Sequence, residues 1–258
     1  MIVNTHLIFF SPTGTTKTIL ENIAKGIGKQ IKIYDTTPAY SRITTTIKDG
    51  VAIFGVPVYA GRVPIVAAER IKNIKGDKTP AVAVVVYGNR EYEDALVELK
   101  DLIEEAGFKV IAGGAFIGEH SYSSNEKPIA INRPDDNDKL AAFNFGKEIT
   151  KKLAQNDLKT PNMKGNIPYK ERIGIKGATP LTKFDICELC GTCSAVCPTD
   201  AITINNKVIS DSEKCIMCCA CIKKCPKEAR YIATKATLER IEMLYKNCQI
   251  RKEPEIFI

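Results

Sequence analysis

"FFSPTGTTKT", residues 9–18, turns an apolar run directly into small hydroxyl-bearing residues and then into an amphipathic pattern. A strand that feeds a helix through so short a loop opens a βα unit, and a chain that repeats the unit builds a parallel sheet covered on both faces. The pattern does recur. "VNTHLIFF", "IKIYDT", "VAIFGVPV", "AVAVVVYG" and "FKVIAGGAFIG" read as strands, and helical spacing occupies about 15–29, 63–74, 91–106 and 135–155. The third and fourth strands are nearly continuous apolar runs, which suit strands buried on both faces. Five such strands in order predict an α/β, doubly wound, five-stranded parallel sheet over residues 1–155. Ligands on such sheets bind beyond the carboxyl ends of the strands, at the switch point.

The loop after the first strand sets Ser11, Thr13, Thr15 and Thr16 around Gly14 at a helix start, where backbone N–H groups are unpaired and the dipole is positive. It reads as a phosphate cradle or as an ordinary N-capped helix, since Ser and Thr favour such positions. It is neither a Walker loop nor the Gly-x-Gly-x-x-Gly dinucleotide fingerprint. The loop after the third strand, "GVPVYAGRVP", brings Tyr59 to the same edge, and "YGNREYEDA" after the fourth brings Asn89, Arg90 and Tyr92. Two tyrosines and a phosphate loop on one sheet edge suit a flat aromatic ligand with a phosphate tail. With these residues, segment 1–155 resembles the flavodoxin family, whose phosphate loop reads Ser/Thr-x-Thr-Gly-Asn-Thr and which holds FMN. The resemblance implies that Ser11, Thr13, Gly14, Thr15 and Thr16 hold the FMN phosphate and that Tyr59 and Tyr92 flank the isoalloxazine. It also makes Ala60, Gly61, Gly88, Asn89 and Arg90, in the same loops, cofactor-binding candidates. Thr15 stands where the family has Asn.

Eight of the ten cysteines occupy the repeated positions of two near-copies of one motif, "CELCGTCSAVCP" at 187–198 and "CIMCCACIKKCP" at 215–226, the second of which also contains Cys219. Spacing of i, i+3 and i+6 lets a short loop aim three thiolates at three corners of one cubane. The fourth cysteine, followed by Pro, is carried away towards a second cluster. Small residues, Gly191, Thr192, Ser194 and Ala220, let backbone N–H groups approach the sulfurs. Zinc would take four ligands in paired knuckles and leave the third cysteine and the Cys-Pro endings without a role. Disulfides are disfavoured because "MIVNTHLIFFSPTG" lacks the basic start and cleavage site of a secretion signal, so reduced thiols in the cytoplasm are expected. The doubled motif is similar to the bacterial two-cluster ferredoxins across residues 184–235. That resemblance implies that Cys187, Cys190, Cys193 and Cys225 bind one [4Fe–4S] cluster and Cys215, Cys218, Cys221 and Cys197 the other. The expected domain spans 184–258 with a C-terminal helix; Cys219 and Cys248 are expected to be buried free thiols.

The formal charge of +7 is concentrated between the two domains. Residues 1–155 carry 20 basic against 18 acidic groups, 156–183 carry 6 against 2, and 184–258 carry 11 against 10. The middle segment, rich in Pro and Gly, reads as a basic linker or a wrapping segment, a solvated linker being the simpler reading. No nucleic-acid motif accompanies the charge, which cluster and phosphate charges offset, and no run of about 20 apolar residues offers a membrane span. Of the two histidines, His6 lies within a strand and is expected to pack there. His120 lies in the long loop 118–135, expected either to lid the flavin edge with Ser121 and Tyr122 or only to close the domain. Two histidines cannot supply the His-rich di-iron site of a flavodiiron oxygen reductase. No catalytic nucleophile is assigned. The function expected is an electron-transfer iron–sulfur flavoprotein relaying electrons between FMN and two [4Fe–4S] clusters, with redox partner proteins unidentified and oligomeric state open. Alternatives are an FMN-dependent reductase with a small substrate above the flavin, marked by a spare cavity there, or a redox sensor, which needs an output domain.

Overall fold

The computed structural model describes residues 4–28, 30–172 and 177–258. Val3 of the first predicted strand, Lys29 of the first predicted helix and residues 173–176 of the basic segment lie outside the described residues. The first part of the chain runs β1 (Asn4–Phe9), α1 (Thr15–Ile27), β2 (Gln30–Asp35), β3 (Thr45–Ile47), β4 (Val51–Pro57), α2 (Ile65–Ile71) and β5 (Ile74–Gly76). It continues with β6 (Pro80–Tyr87), α3 (Ala95–Glu105), β7 (Lys109–Ile117) and α4 (Asp136–Ala154). The second part comprises β8 (Leu181–Thr182), α5 (Thr192–Ala195), β9 (Ile202–Ile204), β10 (Val208–Ser210), α6 (Ala220–Lys223), β11 (Arg230–Tyr231), α7 (Lys235–Asn247) and β12 (Glu255–Phe257).

The five long strands pair in parallel in the order β2-β1-β4-β6-β7. Numbered among themselves they read 2-1-3-4-5, the flavodoxin-like doubly wound order, which places a switch point beside β1. Side-chain alternation splits the core into two layers. Leu7 and Phe9 join Ile19, Leu20, Ile23 and Phe145 under α1 and α4, whereas Ile8 and Phe10 join Phe54, Val56, Leu96 and Leu99 on the other face. Helices α1 and α4 meet at Gly26 and Gly146, where a Cβ would stand 2.1 Å from the Phe143 and Ile23 carbonyl oxygens respectively.

The structure departs from the sequence-based expectation at the edge of the sheet and distinguishes between the two readings of the basic segment. The sheet has a sixth strand, because β12 from the end of the chain pairs antiparallel with β7 and covers that edge. The basic segment is also no solvated linker over its described residues. Met163 is buried in the core, and Asp94 accepts from Asn166 N (2.8 Å) and Lys170 N (2.7 Å). Lys170 Nζ meets Glu93 at 2.6 Å, Tyr169 donates to Asp101, and Arg172 joins Arg62 on the buried Glu98. Its charges match an acidic stretch at the start of α3, so the segment wraps the α/β unit. Within it, β8 pairs with β11.

The second part repeats itself at an offset of 28 residues. Left-handed backbone occurs in pairs at Leu189 and Met217, Gly191 and Cys219, and Asp200 and Glu228. Cys219 thus occupies the place of Gly191 at the start of a short helix, with φ 60° and its thiol directed at the Met217 carbonyl (3.5 Å). Cys219 and Cys248 are both buried, and all ten cysteines are free thiols.

The two parts are packed together. Tyr122 and Ile129, from the 118–135 loop, share an apolar cluster with Met217, Cys219, Ile241 and Leu244. Arg70 donates to the Pro198 carbonyl (2.7 Å), and Lys223 reaches Glu119 (2.6 Å) and the Ser123 carbonyl (2.8 Å). Among the described residues no helix is long and apolar enough to cross a membrane.

Candidate functional site

The loops after β1, β4, β6 and β7 open onto one cleft. Ser11, Thr13, Thr15 and Thr16 line one end; Tyr59, Tyr87, Gly88, His120 and, from the second part of the chain, Cys218 line the rest. At the hydroxyl-rich end Gly14 starts α1 with φ 94° and no side-chain cap. Ser11 Oγ accepts from Lys17 N (3.0 Å), and Ser11 N donates to Thr37 Oγ1 (2.8 Å), so the loop is braced from both sides. Thr16 Oγ1 is buried with no hydrogen-bond partner among the described residues. A buried hydroxyl left without a partner is costly, and here it stands at an uncapped helix start, which suits a phosphate. The residues present therefore fit the phosphate of a flavin nucleotide.

The ring end differs from the sequence-based assignment. Tyr59 lines the cleft, held by reciprocal backbone bonds with Arg62 of 3.0 and 3.1 Å. Burial, with the Cys218 and Cys219 thiols beside it, holds its phenol neutral far above the ordinary tyrosine range. Tyr92 does not line the cleft. It is buried behind Tyr87, ring centroids 5.5 Å apart, because left-handed turns at Asn89 and Glu93 carry it beneath α3. Tyr87, the last residue of β6, is the second aromatic ring at the cleft.

Asn89, Arg90, Ala60 and Gly61 are also absent from the cleft wall. Asn89 holds the end of the chain, donating to the Cys248 (2.8 Å) and Ile250 (2.9 Å) carbonyls and accepting from Lys252 N (3.1 Å). Arg90 pairs with Glu93 at 3.0 Å. Ala60 and Gly61 form a left-handed turn against Glu93, whose carboxylate oxygen would stand 1.6 Å from a Cβ at Gly61. Gly88 does line the cleft, where a Cβ would come within 2.3 Å of the His120 ring.

His120 contributes an imidazole to the cleft, whereas Tyr122 turns into the packed interface. Its Nδ1 accepts from Tyr122 N (3.0 Å), which places the ring proton on Nε2. Burial, reinforced by Arg90 and Lys223, lowers its pKa to about 4, so the ring is a neutral donor near neutrality. His6 lies outside the cleft, stacked on Tyr34.

Nine of the ten cysteines line two cavities. Cys187, Cys190, Cys193 and Cys225 surround the first; Cys197, Cys215, Cys218 and Cys221, with Cys219, surround the second. Among the described residues no three Cys, His, Asp or Glu side chains converge as they would on one ion. Four or five thiols around each cavity, in the doubled spacing, suit a cluster. The two halves supply the same N–H groups: Ala201 N to Cys197 Sγ and Ala229 N to Cys225 Sγ, each 3.3 Å. The Thr192, Ser194, Met217 and Ala220 N–H groups likewise support the Cys190, Cys193, Cys215 and Cys218 sulfurs. Burial pushes the Cys218 thiol up to about 12 and Cys221 to about 11, so thiolate at either is stable only with a metal to hold it. Cys218 belongs to both the second cavity and the cleft wall.

Strand order and cysteine cavities together define an α/β unit of flavodoxin-like topology packed against an iron–sulfur unit. Residues 179–226 match the 4Fe-4S dicluster domain family. No curated protein matches the chain in sequence. Among solved structures, a flavodoxin from the domain Archaea is 13% identical over 58% of this chain and 99% of its own, with TM-score 0.39. The Flv1 flavodiiron core from Synechocystis sp. PCC6803 is 17% identical over 60% of this chain and 37% of its own, with TM-score 0.41. The Streptococcus pneumonia TIGR4 flavodoxin is 13% identical over 57% of this chain and 98% of its own, also with TM-score 0.41. The chain joins a flavodoxin-like fold to a 4Fe-4S dicluster domain, a combination suited to electron transfer.

Proposed function

We propose that this protein is an iron–sulfur flavoprotein that relays electrons between FMN in the cleft and two [4Fe–4S] clusters in the cysteine cavities. FMN supplies one- or two-electron chemistry and each cluster one-electron chemistry. The observation that carries the proposal is Cys218, which lines both the cleft and the second cavity. Ser11, Thr13, Thr15 and Thr16 hold the phosphate, Tyr59 and Tyr87 bound the ring site, and His120 offers it a neutral N–H donor. The first cavity faces outward, since Cys190 is exposed beside Phe184, Ile186 and Leu189, and it suits contact with a partner protein.

Anaerobically purified protein is expected to hold roughly eight irons, eight sulfides and one FMN per chain. Rapid mixing with a one-electron reductant, followed at flavin and cluster wavelengths over a dilution series, tests the relay. The exchange rate is expected to be independent of concentration, because the units are docked rather than merely tethered. Zinc in place of iron, or a rate that scales with concentration, overturns the proposal.

A further inference from the structure

The internal repeat exchanges an apolar residue for a charged one at a buried position. The first copy continues "CPTDAI", residues 197–202, and the second "CPKEAR", residues 225–230, so Arg230 stands where the first copy has Ile202. Ile202 is an apolar wall residue. Arg230 is 4% exposed and lines both cysteine cavities at once. Its guanidinium is positioned by neutral groups, donating to Thr182 Oγ1 (2.6 Å) and Ser210 Oγ (2.7 Å), and Nη2 lies 3.9 Å from Cys221 Sγ. Its Nε–H is buried without a hydrogen-bond partner, and no carboxylate pairs with the side chain among the described residues. A buried cation with no counter-charge is strongly destabilising. Anionic thiolate-bound clusters on both sides would supply the missing charge.

We propose that Arg230 is a shared electrostatic tuning residue for the two clusters, raising the reduction potential of both and of the Cys221-ligated cluster more. Reduction adds negative charge, which a fixed neighbouring cation favours, and an N–H donated to a ligand sulfur favours it further. The contact with Cys221 makes the effect asymmetric. The repeat alone would build two equivalent sites; Arg230 makes them inequivalent.

This inference rests on the reading that both cavities hold [4Fe–4S] clusters, and the test separates the two. Holoprotein carrying Arg230→Ile, the residue of the first copy, is purified anaerobically, its iron and sulfide are counted, and each cluster is titrated potentiometrically by EPR. The expected result is full iron content with the equilibrium constant for reducing the Cys221-ligated cluster lowered at least tenfold, 59 mV for one electron, and the other cluster lowered less. Arg230→Lys, which keeps the charge and loses the planar fork, is expected to leave the Cys187-ligated cluster within threefold and lower the Cys221-ligated one. Full iron content with both reduction equilibrium constants within threefold of wild type overturns the inference, as does a shift confined to the Cys187-ligated cluster. If the isoleucine variant fails to retain iron, the lysine variant decides by the same criterion. Wild-type protein without iron overturns the underlying reading instead.

Discussion

Replacing Thr16 with Val separates binding of phosphate from stability of the fold. The two side chains have the same shape, and the Thr16 hydroxyl is buried at the cleft without a partner. In the flavin-free protein the variant removes an unsatisfied buried group, which relieves about 1–3 kcal/mol of desolvation cost. In the flavin-bound protein it removes a hydrogen bond to a charged acceptor, worth about 1.5–3 kcal/mol. FMN affinity is therefore expected to fall about tenfold to a hundredfold, while the flavin-free protein becomes more resistant to thermal unfolding. Riboflavin, which has no phosphate, should bind the variant as well as the wild type. Flavin-fluorescence titrations with both ligands and a thermal melt of flavin-free protein give all three readings. An equal loss of FMN and riboflavin affinity, or a lower melting temperature without flavin, would refute the role given to this hydroxyl.

Tyr59→Leu should weaken FMN and riboflavin alike by roughly threefold to tenfold, the worth of an aromatic contact, whereas Tyr92→Phe should leave both affinities unchanged in the same titrations. Asn89→Ala should leave FMN binding within about threefold and free the end of the chain, seen as faster proteolytic trimming after Cys248, because three hydrogen bonds to that segment are lost. His120 has a folded pKa of about 4 against an ordinary 6.5, so between these values the unfolded chain binds a proton that the folded chain does not. Stability should fall as pH drops through that window, by at most about 3 kcal/mol, and level off below it. Denaturant unfolding at pH 7 and pH 5 should show the loss, reduced in His120→Asn.

Elements set by local pattern were legible in the chain. The alternation of apolar runs and amphipathic stretches predicts all five parallel strands and the four helices between and after them, to within a few residues, because strand and helix periods are properties of neighbouring residues. The grouping of cysteines is also local. Spacings of three and four residues dictate which thiols one loop can gather, and the second copy repeats the pattern. The hydroxyl-rich loop after β1 is legible for the same reason, since its hydroxyls, its Gly and the helix they start are contiguous.

What distance in sequence conceals appeared only once the chain was folded. Tyr87 ends β6 and Tyr92 follows in the loop, and the left-handed turns at Asn89 and Glu93 accompany a path that buries Tyr92 in the core and leaves Tyr87 at the cleft. Asn89 has the composition of a ligand-loop residue, yet its partners are about 160 positions away at the end of the chain. A three-residue strand after Pro254 carries too little periodicity to be read, and only the free edge of β7 makes it a strand. The basic segment reads as solvated until Asp94, Glu93 and Glu98 are brought beneath it. Cys218 meets the flavin cleft because the packing of Tyr122 and Ile129 on Met217 and Ile241 docks the two units there. Local pattern specifies elements and ligand loops through steric and hydrogen-bonding preferences of adjacent residues. Which elements face one another depends on surfaces hundreds of atoms apart, whose complementarity exists only after each element has formed.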